Sequence, residues 1–237
     1  MKKLFFILII TSTVFVVGCN TDSVTNEIVI ENEQTRLIIT NGGILKSLIH
    51  KPTNEECLVI DQNLPAFSVT QYHPYTNEIR LAYPFKETEF AADSVRREGD
   101  KLIVSFELVD FEAVIDLNIT SQYIQFRIEN FISGNGNNPP KVDEMCLLQL
   151  PVRNRSHFGE WLNVAWDDQM AINLLATDHY ARIDSEEREG SRVLKAVMVS
   201  EVKKEGVGAA LITSPTGQLL DHIARVEEDY NLPRGVK

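Results

Sequence analysis

Residues Lys101–Asn130 read KLIVSFELVDFEAVIDLNITSQYIQFRIEN, and their spacing decides the fold. Leu102, Val104, Phe106 and Leu108, then Ala113, Ile115, Leu117 and Ile119, then Ile124, Phe126 and Ile128 put an apolar residue at every second position. A period of two belongs to a strand, whose side chains point alternately to opposite faces. Three such runs in succession predict an antiparallel meander with one apolar side, which a second layer must cover. The expected class is all-β, an antiparallel β-sandwich.

Composition bounds the rest. The chain has 237 residues, 43% of them hydrophobic, which is enough for one sizeable core. Its net charge of −11, from 34 acidic and 23 basic residues, argues against nucleic acid, whose phosphates need basic patches. Of the three cysteines, Cys57 and Cys146 are able either to pair in an oxidising compartment or to remain as two buried thiols.

The N-terminus reads as a processing signal. Lys2 and Lys3 precede an apolar run, Leu4 to Val17, that is shorter than a spanning helix needs and closes on Val16-Val17-Gly18-Cys19. This resembles a bacterial lipobox, with residues 1–18 as signal peptide and Cys19 as the lipidated first residue of the mature chain. Asn20 follows that cysteine where an inner-membrane retention cue would place Asp, so an outer-membrane or cell-surface location is expected. Residues 19–26 are polar and read as a tether.

Strand signals begin at Ile28 and continue through Arg36 to Thr40, where Asn41-Gly42-Gly43 marks a turn, and resume from Ile44 to His50. The order Leu37-Ile38-Ile39, Gly42-Gly43, Ile44-Leu45-Lys46-Ser47-Leu48, Asn54-Glu55-Glu56-Cys57-Leu58 resembles the opening of galactose-mutarotase-like domains. Phe111-Glu112-Ala113-Val114-Ile115 followed by Tyr123 to Asn130 resembles the paired middle strands of the same superfamily. The resemblance implies a supersandwich over residues 27–213. Similar sandwiches occur as free aldose epimerases and as N-terminal domains of glycoside hydrolases and lyases.

Two clusters are candidates for ligand contact. Tyr72-His73-Pro74-Tyr75 and Tyr83-Pro84-Phe85 set aromatic rings beside prolines, which suits a stacking platform or a sheet edge. His157 to Gln169 contains both tryptophans, Trp161 and Trp166, with Asp167 and Asp168 behind them. Indoles that stack and carboxylates that accept from hydroxyls make a combination able to grip a sugar ring. His157, His179 and Tyr180 extend this ligand-binding set. Trp166, abutting the acidic pair, is expected to be the more exposed indole and Trp161 the more buried. Asp167-Asp168 also suggests acid/base chemistry or a calcium ligand, although no motif for calcium accompanies it. The structural alternative is a core tryptophan beside a solvated acidic turn.

Met170 to Thr177 reads as a buried strand, Glu186 to Gly190 as a charged hairpin tip, and Leu194 to Val202 and Val207 to Thr213 as further strands. Ser214-Pro215 reads as a helix start, with Leu219, Leu220, Ile223, Val226 and Tyr230 at helical spacing and Asp221, Glu227, Glu228 and Asp229 toward water. Residues 214–237 are expected to form that helix and the start of a linker to a further domain.

No phosphate loop, dinucleotide fingerprint, zinc spacing or nucleophile elbow is present in the sequence. The leading expectation is a non-catalytic, carbohydrate-binding domain of a surface lipoprotein, accessory to a glycoside hydrolase catalytic domain. The alternatives are a free-standing aldose epimerase using His157, His179 and Glu201, and a structural surface domain without a ligand.

Overall fold

The computed structural model describes residues 26–59, 64–74, 85–133, 142–199 and 205–233. The lipobox with Cys19, Tyr75, Tyr83, Pro84, most of the Ser133–Pro140 loop and Glu201 lie outside the described residues.

The chain opens with β1 (Glu27–Glu31), β2 (Thr35–Thr40), β3 (Leu45–His50) and β4 (Glu55–Glu56), an antiparallel sheet in that order. Gly43, at φ +74, supplies the left-handed step that turns β2 into β3. Next come β5 (Ser68–Pro74), β6 (Phe85–Ala91), β7 (Ser94–Glu98), β8 (Lys101–Phe106), β9 (Phe111–Ile119) and β10 (Ile124–Ser133). They are followed by β11 (Glu144–Arg153), β12 (His157–Gly159), β13 (Val164–Trp166), β14 (Met170–Ala176), β15 (Ala181–Arg188), β16 (Ser191–Met198), β17 (Gly208–Pro215) and α1 (Leu219–Asp229).

The meander read from Lys101–Asn130 is β8, β9 and β10. It forms half of an eight-stranded antiparallel sheet ordered β12-β13-β14-β17-β10-β9-β8-β7. A five-stranded sheet, β15-β16-β11-β5-β6, and the β1–β4 sheet supply the facing layer. Leu102, Val104, Ala113, Ile115, Phe126 and Ile128 of the meander share one core with Leu37, Leu48, Leu148, Leu150 and Leu194 of the other two sheets. The protein is an all-β sandwich with one C-terminal helix, as the spacing predicted.

The far side of the large sheet explains the uninterrupted apolar run in β17. Ala209 and Leu211 enter the main core, whereas Ala210 and Ile212 turn outward and pack with Leu219, Ile223 and Val226 of α1. A strand covered on both faces shows no alternation. Gly208 stands where β10 comes closest, and a Cβ there would lie 2.8 Å from the Phe126 carbonyl oxygen. Among the described residues no helix is long and apolar enough to cross a membrane.

Some expectations are corrected, and elsewhere one of two alternatives is selected. Leu108 is 80% exposed, because the first run ends at Phe106 and Glu107–Val109 form a 3-10 turn into β9. Ser214 and Pro215 close β17, and the helix follows a further 3-10 turn, Thr216–Gln218. Leu220 points to solvent, and Asp229 accepts a hydrogen bond from the buried Tyr123 hydroxyl at 2.8 Å. Cys57 and Cys146 are free and buried, and burial pushes both thiols up to about 12. Of the Tyr–Pro clusters, Tyr72, His73 and Pro74 end β5 and Phe85 begins β6, with Pro74 opposite Phe85 at an edge hairpin.

Candidate functional site

The short hairpin β12–β13 forms one edge of the large sheet. Its register sets His157 opposite Trp166, Phe158 opposite Ala165 and Gly159 opposite Val164. Alternation therefore sends Phe158 and Ala165 to the main core and His157, Gly159, Val164 and Trp166 to the outer face. On that face the His157 ring stacks on the Trp166 indole, centroids 5.3 Å apart and planes 28° apart. Gly159 makes room for the same indole, whose benzo edge lies 3.4 Å from where a Cβ would sit. Trp166 is half-buried, with its inner edge against the helix-covered cluster.

Trp161 lies in the 3-10 turn Glu160–Leu162 that joins the two strands, and it is 100% exposed. The turn closes through Asn163, whose left-handed backbone (φ +49) lets its N–H reach the Glu160 carbonyl at 3.2 Å. The buried Asn173 donates its side-chain amide to the Leu162 and Asn163 carbonyls and so fixes the turn to β14. Trp161 is therefore displayed on an anchored tip. The expected order of exposure is reversed: Trp166, although next to the acidic pair, is half-buried, because the pleat aims it at the helix-covered side.

Asp167 begins the turn between β13 and β14. Its Oδ1 accepts from the backbone amides of Gln169 and Met170 at 2.9 and 3.0 Å, and its Oδ2 accepts from Arg155 Nη1 at 2.8 Å. Burial alone would raise its pKa, but the Arg155 guanidinium and the two amides outweigh that and hold the carboxyl below its ordinary range. Asp168 is exposed, whereas Asp167 is half-buried with both oxygens committed to Arg155 and the two amides. Among the described residues no group of three or more His, Cys, Asp or Glu is placed to hold a metal ion.

A cleft of about 160 Å³ opens between this hairpin and the β15–β16 turn. Phe158 and Ala165 form its apolar wall, and Arg153, Asn154, Arg155, His157, Glu187 and Arg192 supply its polar groups. The Arg192 guanidinium lies 3.9 Å above the Phe158 ring and pairs with Glu187 at 3.1 Å. An aromatic stack beside a cleft of hydrogen-bonding side chains is able to orient a small polar ligand.

His157, Trp166 and Asp167 thus gather at one end of the hairpin, and Trp161 stands at the other. His179 and Tyr180 do not join them. His157 is level with Ala171 through Trp166, whereas His179 lies beyond Ala176 at the opposite end of β14. Five residues of strand separate those levels by about 17 Å. The two histidines are therefore not one acid/base centre. Arg153, Arg155 and Arg192 were missed in the sequence. Arg153-Asn154-Arg155 stands two residues before His157 and was the available signal, but its convergence with Arg192 depends on the pairing of β11 with β16.

Fold and site together define an all-β sandwich with an aromatic and basic cleft at its sheet edge. No protein-family model and no curated protein matches the sequence. Among solved structures it is similar to a GH31 family sulfoquinovosidase from E. rectale in complex with the aza-sugar inhibitor IFGSQ, at 10% identity and a TM-score of 0.38, over 85% of this chain and 34% of that one. The chain thus spans about a third of that enzyme's length. At this TM-score the likeness carries no argument about activity, which rests on the residues themselves.

Proposed function

We propose that the chain is a carbohydrate-binding, non-catalytic β-sandwich of a surface lipoprotein, accessory to glycoside hydrolysis and arranged as the galactose-mutarotase-like domains its sequence resembles. The observation that carries the reading is the β12–β13 hairpin. It presents a fully exposed indole at Trp161 and a His157–Trp166 stack beside a polar cleft. Aromatic faces receive the C–H face of a sugar ring, and fixed polar side chains take its hydroxyls. The lipobox at Cys19 would hold this hairpin near a membrane surface, where polysaccharide is met from outside.

Calorimetric titration with a broad panel of plant and host glycans tests the reading. Heat is expected with at least one glycan and is expected to weaken in Trp161→Ala or Trp166→Ala. Silence across the panel would remove carbohydrate binding as the function.

A further inference from the structure

We infer that the cleft is an anion subsite, taking the carboxylate or sulfate substituent of an acidic saccharide; the inference rests on the carbohydrate reading and narrows it to charged glycans. The chain carries a net charge of −11, yet this cleft is lined by Arg153, Arg155, Arg192, His157 and Asn154 with one carboxylate, Glu187; Asp167 and Glu55 pair with Arg155 beside it, and Arg153 is left without a carboxylate partner among the described residues. One unpaired cation beside two positioned guanidinium groups, in an otherwise acidic chain, favours an anion there.

The three arginines differ in how they are held. Arg155 is 94% buried by side chain, locked between Asp167 and Glu55, and its Nε meets no hydrogen-bond acceptor among the described residues. A buried guanidinium N–H without a partner costs free energy that an arriving oxyanion would recover. Arg192 is held over the Phe158 ring and steadied by Glu187. Arg153 is exposed and makes no side-chain ion pair or hydrogen bond among the described residues, so its charge is free for a ligand. The guanidinium groups of Arg155 and Arg192 are held in place, and a guanidinium matches the geometry of a carboxylate.

Size limits what enters. A volume of about 160 Å³ admits several water molecules' worth of ligand, hence a charged substituent and its nearest ring atoms, but not a whole saccharide. The remainder of the sugar would lie outward from the cleft, past His157 at its rim.

The test compares an oligogalacturonide with its fully methyl-esterified counterpart, and a sulfated galactan oligosaccharide with its desulfated form, by calorimetry on the intact chain at low salt. The charged member of at least one pair is expected to bind about tenfold or more tightly than the neutral one. Which pair discriminates identifies the substituent. Arg153→Gln, a surface change that breaks no contact, is expected to bring the charged glycan down to the neutral level. Arg96→Gln, at the opposite edge of the large sheet, is expected to leave the preference intact. Equal binding of charged and neutral members, unchanged by Arg153→Gln, would overturn the anion subsite and leave carbohydrate binding standing. Absence of binding by every member would overturn both readings.

Discussion

Nη1 of Arg155 lies 2.8 Å from Oδ2 of Asp167, and Nη2 of the same guanidinium lies 2.7 Å from Oε1 of Glu55. One side chain, placed just after β11, thus joins β4 of the smallest sheet to the β13–β14 turn of the largest. The guanidinium is buried while both carboxylates keep some water, at 36% and 26% exposure. Removing a buried ionic partner is costly because it strands the others, and partial hydration of the carboxylates reduces that cost. Arg155→Met is expected to destabilise by about 2–3 kcal/mol, read from urea unfolding; a loss indistinguishable from zero would mean that the bracket is idle.

The pH dependence of the same pair has a definite sign. A carboxyl held below its ordinary range contributes stability that is complete above about pH 4–5 and is lost as pH falls through its folded value. The stability gap between the native chain and Asp167→Asn is therefore expected to be constant near neutrality and to narrow in acid. Denaturant titrations from pH 7 to pH 3 measure it. A gap that stayed the same throughout would show that the charge on Asp167 is not what Arg155 stabilises.

These contacts also mark where sequence reading ended. Period-two alternation in β8, β9 and β10 was legible because strand geometry is local, and α1 was legible because Leu219, Ile223 and Val226 recur at helical spacing. Leu108 fitted the pattern and still faces water, since the backbone turns at Glu107 before the alternation stops. Glu55, Arg155 and Asp167 are joined only after three sheets assemble, so no spacing announces them. The two tryptophans were found as a cluster, but their exposure depended on a pleat and a turn that sequence distance does not encode.

The tryptophans separate display from packing. Trp161 buries nothing, so Trp161→Ala is expected to leave the melting temperature unchanged within about a degree. Trp166 stacks on His157 and packs against the helix-covered cluster, so Trp166→Ala is expected to cost about 1–3 kcal/mol, less than a fully buried indole would. Iodide should quench the fluorescence of the Trp166→Phe variant, which retains Trp161, far more than that of Trp161→Phe. Equal quenching of the two would contradict a fully exposed Trp161 beside a half-buried Trp166.

Gly208 is held by a close approach of chains, not by its backbone angle. An added Cβ would meet the Phe126 carbonyl oxygen at 2.8 Å and the Thr177 Oγ1 at 2.9 Å. Neither the paired backbone nor Thr177, which accepts from Gln125 at 2.8 Å, can withdraw freely. Gly208→Ala is expected to cost about 1–3 kcal/mol through overpacking, despite the usual gain from restricting the unfolded chain. Thermal unfolding decides it, and a neutral or stabilised variant would mean that β10 and β17 part without penalty.

The C-terminal helix is tied to the sheet by a chain of hydroxyls. The Tyr123 hydroxyl donates to Asp229 at 2.8 Å; that of Tyr230 donates to Gln125 Oε1 at 2.7 Å and accepts from Asn118 at 2.8 Å. Gln125 in turn donates to Thr177. The consequences of cutting each link differ with what is left behind. After Tyr123→Phe, Asp229 keeps Arg225 at 2.9 Å and some water, so the loss is expected to be about 1 kcal/mol. After Tyr230→Phe, the carbonyl oxygen of the buried Gln125 loses its donor, and the loss is expected to be about 2 kcal/mol. Because the two tyrosines lie in one network, the double variant should cost less than the sum of the single ones. Urea unfolding of the three variants, with amide exchange across Leu219–Asp229, measures both the cost and its place. A larger loss from Tyr123→Phe than from Tyr230→Phe would put the essential link at Asp229 instead of Gln125.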